Sequence, residues 1–164
     1  MKKICIIANT DKKNAKGLAA GLAKWLKARK KSVVFDRQTS KLLGGSAEFI
    51  NLPEDAGKVD LFIVLGGDGT LLNVSHNIIG SKAPVFPVNI GKLGFLNEIV
   101  VDEMYASLAN VLKGKYTFKN RMMLKASLVR NSKIQESVYA LNDIVIARGA
   151  AARLIRYEVR LDGE

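Results

Sequence analysis

A short run of glycines around one carboxylate is the part of this sequence best suited to chemistry. Residues 66–70 read Gly-Gly-Asp-Gly-Thr, and they follow an apolar run, residues 61–65. The residues after them have helical spacing, so the order predicts a buried strand, a tight turn and a helix. Glycines let backbone N–H groups approach an anion closely, and a helix N-terminus adds partial positive charge. The same pattern also occurs in plain structural turns.

Asp68 is the unusual member of this turn, because a carboxylate repels phosphate. It fits such a place when it binds a metal ion or accepts a proton from an attacking hydroxyl. The turn and its carboxylate together therefore indicate phosphoryl transfer.

Composition limits the classes of protein that remain. The chain has 164 residues and a net charge of +11, which suggests anionic partners. The positive charge is spread along the chain, and its densest cluster, residues 24–31, falls at a predicted helix end, where cations complement the helix dipole, so a nucleic-acid partner is not favoured. No apolar run has the length of a membrane span. A single cysteine, Cys5, allows no internal disulfide, and a cytoplasmic location is the expectation.

The order of predicted elements divides the chain near residue 115. Within residues 1–114, strands alternate with helices, which predicts an α/β domain: a Rossmann-like parallel sheet with helices on both faces. Residues 37–58 are predicted to be a long loop with about one turn of helix. Residues 116–129, 134–147 and 154–161 are strand-like, with a hairpin turn at Asn131 and Ser132. Residues 115–164 are therefore expected to be the start of an all-β, nucleotide-binding domain that is incomplete here.

Three blocks carry a resemblance to the NAD kinase family. Residues 66–72 resemble its signature, although lipid kinases of the diacylglycerol and sphingosine type share the first five residues and phosphofructokinases have a close relative. Residues 89–96 look like its second block, where lipid kinases have a Gly-Thr-Ala-Asn-type turn. Residues 140–143 are similar to its Asn-Glu/Asp block. The family's later Thr-Gly-Ser-Thr-Ala-Tyr block is absent from this sequence.

The resemblance implies an enzyme that phosphorylates the 2′-hydroxyl of the adenosine ribose of NAD to give NADP. The donor would be ATP or polyphosphate with Mg²⁺ or another divalent metal, and no metal-ligating residue is assigned. Asp68 would orient or deprotonate the hydroxyl. The pyrophosphate would be held by the amides around Gly66, Gly67, Gly69 and Thr70.

The resemblance also implies further nucleotide contacts. Phe95 would pack on the bound nucleotide, although a core phenylalanine is an equal alternative. Asn142 and Asp143 would bind vicinal ribose hydroxyls, whereas the residues alone are more typical of a turn. Arg153 would be a basic nucleotide contact and Arg148 a weaker one, unless both are plain surface arginines.

Two other functions stay open at this point. One is a non-catalytic nucleotide-binding homologue or fragment, which the missing block favours and the retained Asp68 disfavours. The other is a lipid kinase, which the second block disfavours. We expect residues 1–164 alone to be inactive. The full-length protein would be a homodimer or homotetramer, because the family usually is.

Overall fold

A parallel sheet of six strands forms the centre of the computed structural model, which describes residues 1–91, 94–147, 154 and 156–162. In space its strands follow the order β3-β2-β1-β4-β5-β6, and every neighbouring pair is parallel. The strands are β1 (Lys3–Ala8), β2 (Ser32–Asp36), β3 (Phe49–Ile50), β4 (Leu61–Gly66), β5 (Val85–Asn89) and β6 (Ile99–Val100). The predicted α/β fold is confirmed.

Helices cover both faces of this sheet, as the continuous apolar runs of its central strands require. Successive side chains of β4 alternate between two hydrophobic cores: Ile63 lies in one and Phe62 in the other, and neither is exposed. The first core is closed by α1 (Ala15–Lys27) and α4 (Val101–Leu112), and the second by α3 (Asp68–Asn77). Within the described part of the chain, no helix is long and apolar enough to cross a membrane.

The region predicted as a long loop, residues 37–58, contains more structure than expected. It holds the helix α2 (Arg37–Leu42), the strand β3 and a short 3₁₀-helix (Ala56–Lys58). The side chain of Asp36 caps α2 by accepting the backbone N–H groups of Gln38 and Thr39. The segment is polar and has little apolar periodicity, so the capping residue Asp36 is the main feature of the sequence that indicates a helix here.

An antiparallel hairpin follows α4, formed by β7 (Leu124–Arg130) and β8 (Lys133–Ala140). Its turn is at Asn131 and Ser132, as predicted, and both have positive φ, 49° and 58°, as hairpin turns of type I′ require. The strands are shorter than predicted, since residues 116–123 and 141–147 are irregular. An apolar pattern forms a strand only beside a partner, and these segments have none within the described residues.

The strand order places the loops that matter for function at one edge. Parallel strands bring their carboxyl ends together, and the order reverses direction between β1 and β4. Such a reversal leaves a crevice outside the strand ends, where ligands bind in open α/β sheets. The Gly-rich turn after β4 lies at this crevice.

Candidate active site

The Gly-rich turn joins β4 directly to α3. Gly67 is the N-cap of α3, and its carbonyl accepts the backbone N–H groups of Thr70 (3.0 Å) and Leu71 (3.2 Å). Gly66 has no room for a side chain, because a Cβ there would overlap the side chain of Thr70. Strand, turn and helix follow one another in the predicted order, but α3 begins at Asp68, within the predicted turn.

The carboxylate of Asp68 is held by backbone amides of a second loop, the one that follows β5. The N–H of Phe95 donates to Oδ2 at 2.7 Å. The N–H groups of Leu96 and Asn97 donate to Oδ1 at 3.2 Å and 3.3 Å. Hydrogen bonds to a charged acceptor are stronger than neutral ones, so these bonds fix the position of the carboxylate. We call residues 94–97 the amide loop.

Gly94 allows the amide loop to approach the carboxylate of Asp68 this closely. A Cβ on this residue would overlap the carboxylate carbon and both carboxylate oxygens of Asp68. The amide loop and the Gly-rich turn can therefore meet only where residue 94 has no side chain.

Two asparagines brace the Gly-rich turn from opposite sides. Asn9, directly after β1, donates its side-chain N–H to Oγ1 of Thr70 at 3.1 Å. Asn97, in the amide loop, donates its side-chain N–H to the carbonyl of Gly66 at 3.2 Å. The loops that follow β1 and β5 thus both contact the turn that follows β4.

A cleft of about 690 Å³ opens beside the turn, between the ends of β1, β2 and β4. Gly67, Gly69 and Thr70 contribute to its wall, but Asp68 does not, since its carboxylate turns toward the amide loop. Other lining residues include Asn9, Asp11, Lys12, Asp36, Arg37, Asn51, Asn73 and Asn77. The turn therefore separates a polar cleft from a fixed carboxylate.

Arg37 is a cation at the border of this cleft whose orientation is set. Its guanidinium donates to Oδ1 of Asn51 at 2.6 Å and lies 4.9 Å from the centre of the Phe49 ring. Together with Lys12 it gives the cleft two positive side chains. A planar guanidinium held in this way suits an anionic, phosphate-like group.

The remaining predicted contacts are placed as follows. The Phe95 ring is 97% exposed, so it is not a core phenylalanine and can meet a ligand. Asn142 and Asp143 are exposed and follow β8, whose end contacts α3. Arg148 and Arg153 lie outside the described residues.

Two ionisable groups near the site have shifted pKa values. Burial raises the pKa of the Cys5 thiol far above its ordinary value, and the nearby carboxylate of Asp36 adds to this effect. Cys5 is therefore an inert core thiol. A hydrogen bond from the Lys119 ammonium lowers the pKa of Glu98, which directly follows Asn97.

Several site residues carried little signal in the sequence. Asn9 and Arg37 could have been found from the rule that ligands meet the carboxyl ends of parallel strands. Asn97 could not, because nothing in its neighbours indicates that its side chain is buried. The backbone amides of residues 95–97 carry no sequence signal at all.

Metal-ligating side chains are not clustered in the described part of the chain. Among the described residues, no group of three His, Cys, Asp or Glu side chains could hold a metal ion. The carboxylate of Asp68 already accepts hydrogen bonds on both oxygens.

Comparison with known proteins defines the class. Residues 4–116 match the family model of the ATP-NAD kinase N-terminal domain. The NAD kinase of Geotalea daltonii is 42% identical over 165 residues, covering 99% of this chain and 57% of the relative. That of Syntrophotalea carbinolica is 40% identical over 162 residues, with the same coverage of 99% and 57%. The chain belongs to the NAD kinase family, and it spans little more than half the length of these relatives.

Solved structures of the family share the fold. Yeast NADH kinase, crystallised with NADH, superposes with a TM-score of 0.76 at 16% identity, covering 87% of this chain and 47% of that one. An NAD kinase from Archaeoglobus fulgidus in complex with ATP gives a TM-score of 0.54 at 17% identity, with 80% and 45% coverage. At these identities the likeness concerns the fold.

The close approach of Gly94 to Asp68 makes a testable prediction. Gly94→Ala should lower the free energy of unfolding of the chain by about 1–3 kcal/mol, because the new methyl group must break the carboxylate–amide bonds or displace the loop. Gly57→Ala is the matched control, since a Cβ there meets no atom within 4 Å. The control should change stability by less than about 0.5 kcal/mol. Equal urea midpoints for both variants would contradict the geometry.

Proposed function

We propose that this protein is an NAD kinase that transfers a phosphoryl group to the 2′-hydroxyl of the adenosine ribose of NAD, giving NADP. The observation that carries the proposal is the carboxylate of Asp68, which is fixed by backbone amides at the end of a Gly-rich turn. Membership of the family supplies the reaction type.

The hydrogen bonds of Asp68 leave a defined place for the acceptor hydroxyl. An ionised carboxylate has about four lone-pair positions. Oδ1 accepts two amide N–H groups and Oδ2 accepts one, so the open position is on Oδ2. We assign Oδ2 as the atom that accepts the 2′-hydroxyl and orients or deprotonates it. A carboxylate that cannot swing away supplies catalysis by positioning as well as by proton transfer.

The phosphate donor is assigned to the polar cleft on the other side of the turn. Its backbone amides around Gly67, Gly69 and Thr70 suit a polyphosphate chain, and Lys12 and Arg37 supply positive charge. ATP and inorganic polyphosphate share this chemistry. The carboxylate of Asp68 points away from the cleft, so it adds no charge to the two carboxylates, Asp11 and Asp36, that line it.

A divalent metal such as Mg²⁺ enters this scheme with the donor as part of the substrate complex. Mg²⁺ is commonly bound through substrate phosphates and water, with few protein ligands.

The acceptor nucleotide is assigned to the side of the turn that carries the amide loop. The exposed ring of Phe95 offers a stacking surface, and its N–H holds Asp68. Asn142 and Asp143 are assigned to ribose hydroxyls, and Arg148 and Arg153 stay candidates for the nucleotide's charged groups.

Asp68→Asn tests the catalytic role. In a form that spans the full length of the relatives, kcat for NADP formation should fall by about 10²–10⁴-fold, because the general base is lost. NAD should still bind, as titration calorimetry would show. Asp102→Asn, an acidic residue in the first turn of α4, is the matched control and should turn over normally. Near-normal turnover of Asp68→Asn would assign the base elsewhere.

Arg37→Ala tests the donor cleft without needing turnover. Binding of inorganic triphosphate to the 164-residue chain should weaken by about fivefold to thirtyfold, as loss of a charge-assisted contact of about 1–2 kcal/mol predicts. Arg29→Ala is the matched control, because Arg29 also lies over an aromatic ring, 3.7 Å from the centre of Trp25, but outside the cleft. Equal loss in both variants would show only a general charge effect and would remove Arg37 from the donor site.

A further inference from the structure

Asn97 is a fully buried polar residue whose amide is only half satisfied. Its relative exposure is 0%. Nδ2 donates to the carbonyl of Gly66 at 3.2 Å. Oδ1 is also buried, and no hydrogen-bond donor reaches it within the described part of the chain.

The orientation of this amide follows from its surroundings. The carbonyl of Gly66 is an acceptor and already receives the N–H of Ile90 at 3.3 Å. A flipped amide would place Oδ1 against this carbonyl, oxygen facing oxygen, so the donor must point there. The hydrogen bond from Nδ2 to the carbonyl of Gly66 therefore fixes the orientation of the side-chain amide.

An unsatisfied buried acceptor is unfavourable, so a stability role alone does not explain this residue. A leucine has the same branched shape and would fill the space without burying an unpaired oxygen. What the amide supplies and leucine cannot is the N–H donor to the carbonyl of Gly66.

The role of Asn97 follows from the two hydrogen bonds that it donates. The side chain of Asn97 binds the last residue of β4, while its backbone N–H donates to Oδ1 of Asp68 at 3.3 Å. One residue thus fastens the amide loop to the Gly-rich turn that carries the carboxylate. Loss of the side-chain bond would free the loop to move relative to Asp68.

We propose that Asn97 is a positioning residue that holds the amide loop in register with the Gly-rich turn and so keeps the carboxylate of Asp68 aligned. The inference rests on the proposed function only for its effect on turnover. Its structural part, the coupling between the Asn97 side chain and the amides on Asp68, stands independently.

Two variants separate positioning from mere packing. Asn97→Leu removes the donor together with the unsatisfied oxygen, and Asn97→Asp keeps the size but removes the donor and adds a buried charge. A packing role predicts that the effects follow stability, so that the leucine variant behaves like the parent. A positioning role predicts that both variants release Asp68, although the leucine variant stays folded.

The first measurement uses the 164-residue chain and needs no turnover. In both variants, hydrogen exchange at the Phe95 amide should speed up by about tenfold or more, because its bond to Oδ2 opens locally. The N–H of Phe62, near the start of β4, donates to the carbonyl of Pro84 at 3.0 Å; it is the internal control and should keep its protection in the leucine variant. A folded leucine variant with parental exchange at Phe95 would overturn the proposal.

The second measurement uses the form that spans the length of the relatives. Asn97→Leu should lower kcat for NADP formation by about 10²-fold with little change in the KM for NAD, as expected when a reacting group is misaligned. Adding Asn97→Leu to Asp68→Asn should cause no further loss, because the residue acts through Asp68. Full additivity of the two changes would contradict this. If the parent makes no NADP, the proposed function fails while the exchange measurement still decides the role of Asn97.

Discussion

The rest of the site depends on one set of contacts, the backbone N–H groups of residues 95–97 on the carboxylate of Asp68. These bonds join two loops that follow neighbouring strands, and they can form only because Gly94 presents no side chain. They fix the carboxylate before any substrate binds and leave an open lone pair on Oδ2. A reacting group that is held beforehand costs no reorganisation during the reaction, which is how a site gains most from positioning.

The parallel sheet makes this arrangement possible. Gly66, at the end of β4, is in register with Asn89, at the end of β5, so the loops that follow both strands leave the sheet at the same level. The reversal of strand order between β1 and β4 opens the polar cleft on the opposite side of the turn. In the proposed arrangement, donor and acceptor approach the turn from different sides, and in-line transfer requires the terminal phosphoryl group of the donor to reach the hydroxyl held at Oδ2.

The sequence predicted the parts of the fold that follow from burial. The apolar run of residues 61–65, in β4, is buried as expected, because both faces of the sheet are covered. The two-residue strands β3 and β6 were not predicted, since so short a segment has no periodicity to detect. At the site, side-chain chemistry identified Asp68, but its partners are backbone donors, which any residue type supplies. Asn97 and Arg37 depend on contacts that only the folded chain brings together.

The most direct test of the account is a crystal structure of the protein with NAD bound, in a form that spans the length of its relatives. The account predicts that the 2′-oxygen of the adenosine ribose lies within about 2.6–3.2 Å of Oδ2 of Asp68, the reach of a hydrogen bond to a general base. The amides of residues 95–97 should keep their bonds to the carboxylate in that complex. An adenosine ribose bound in the polar cleft, with Oδ2 facing no substrate hydroxyl, would contradict the assignment of the two sides.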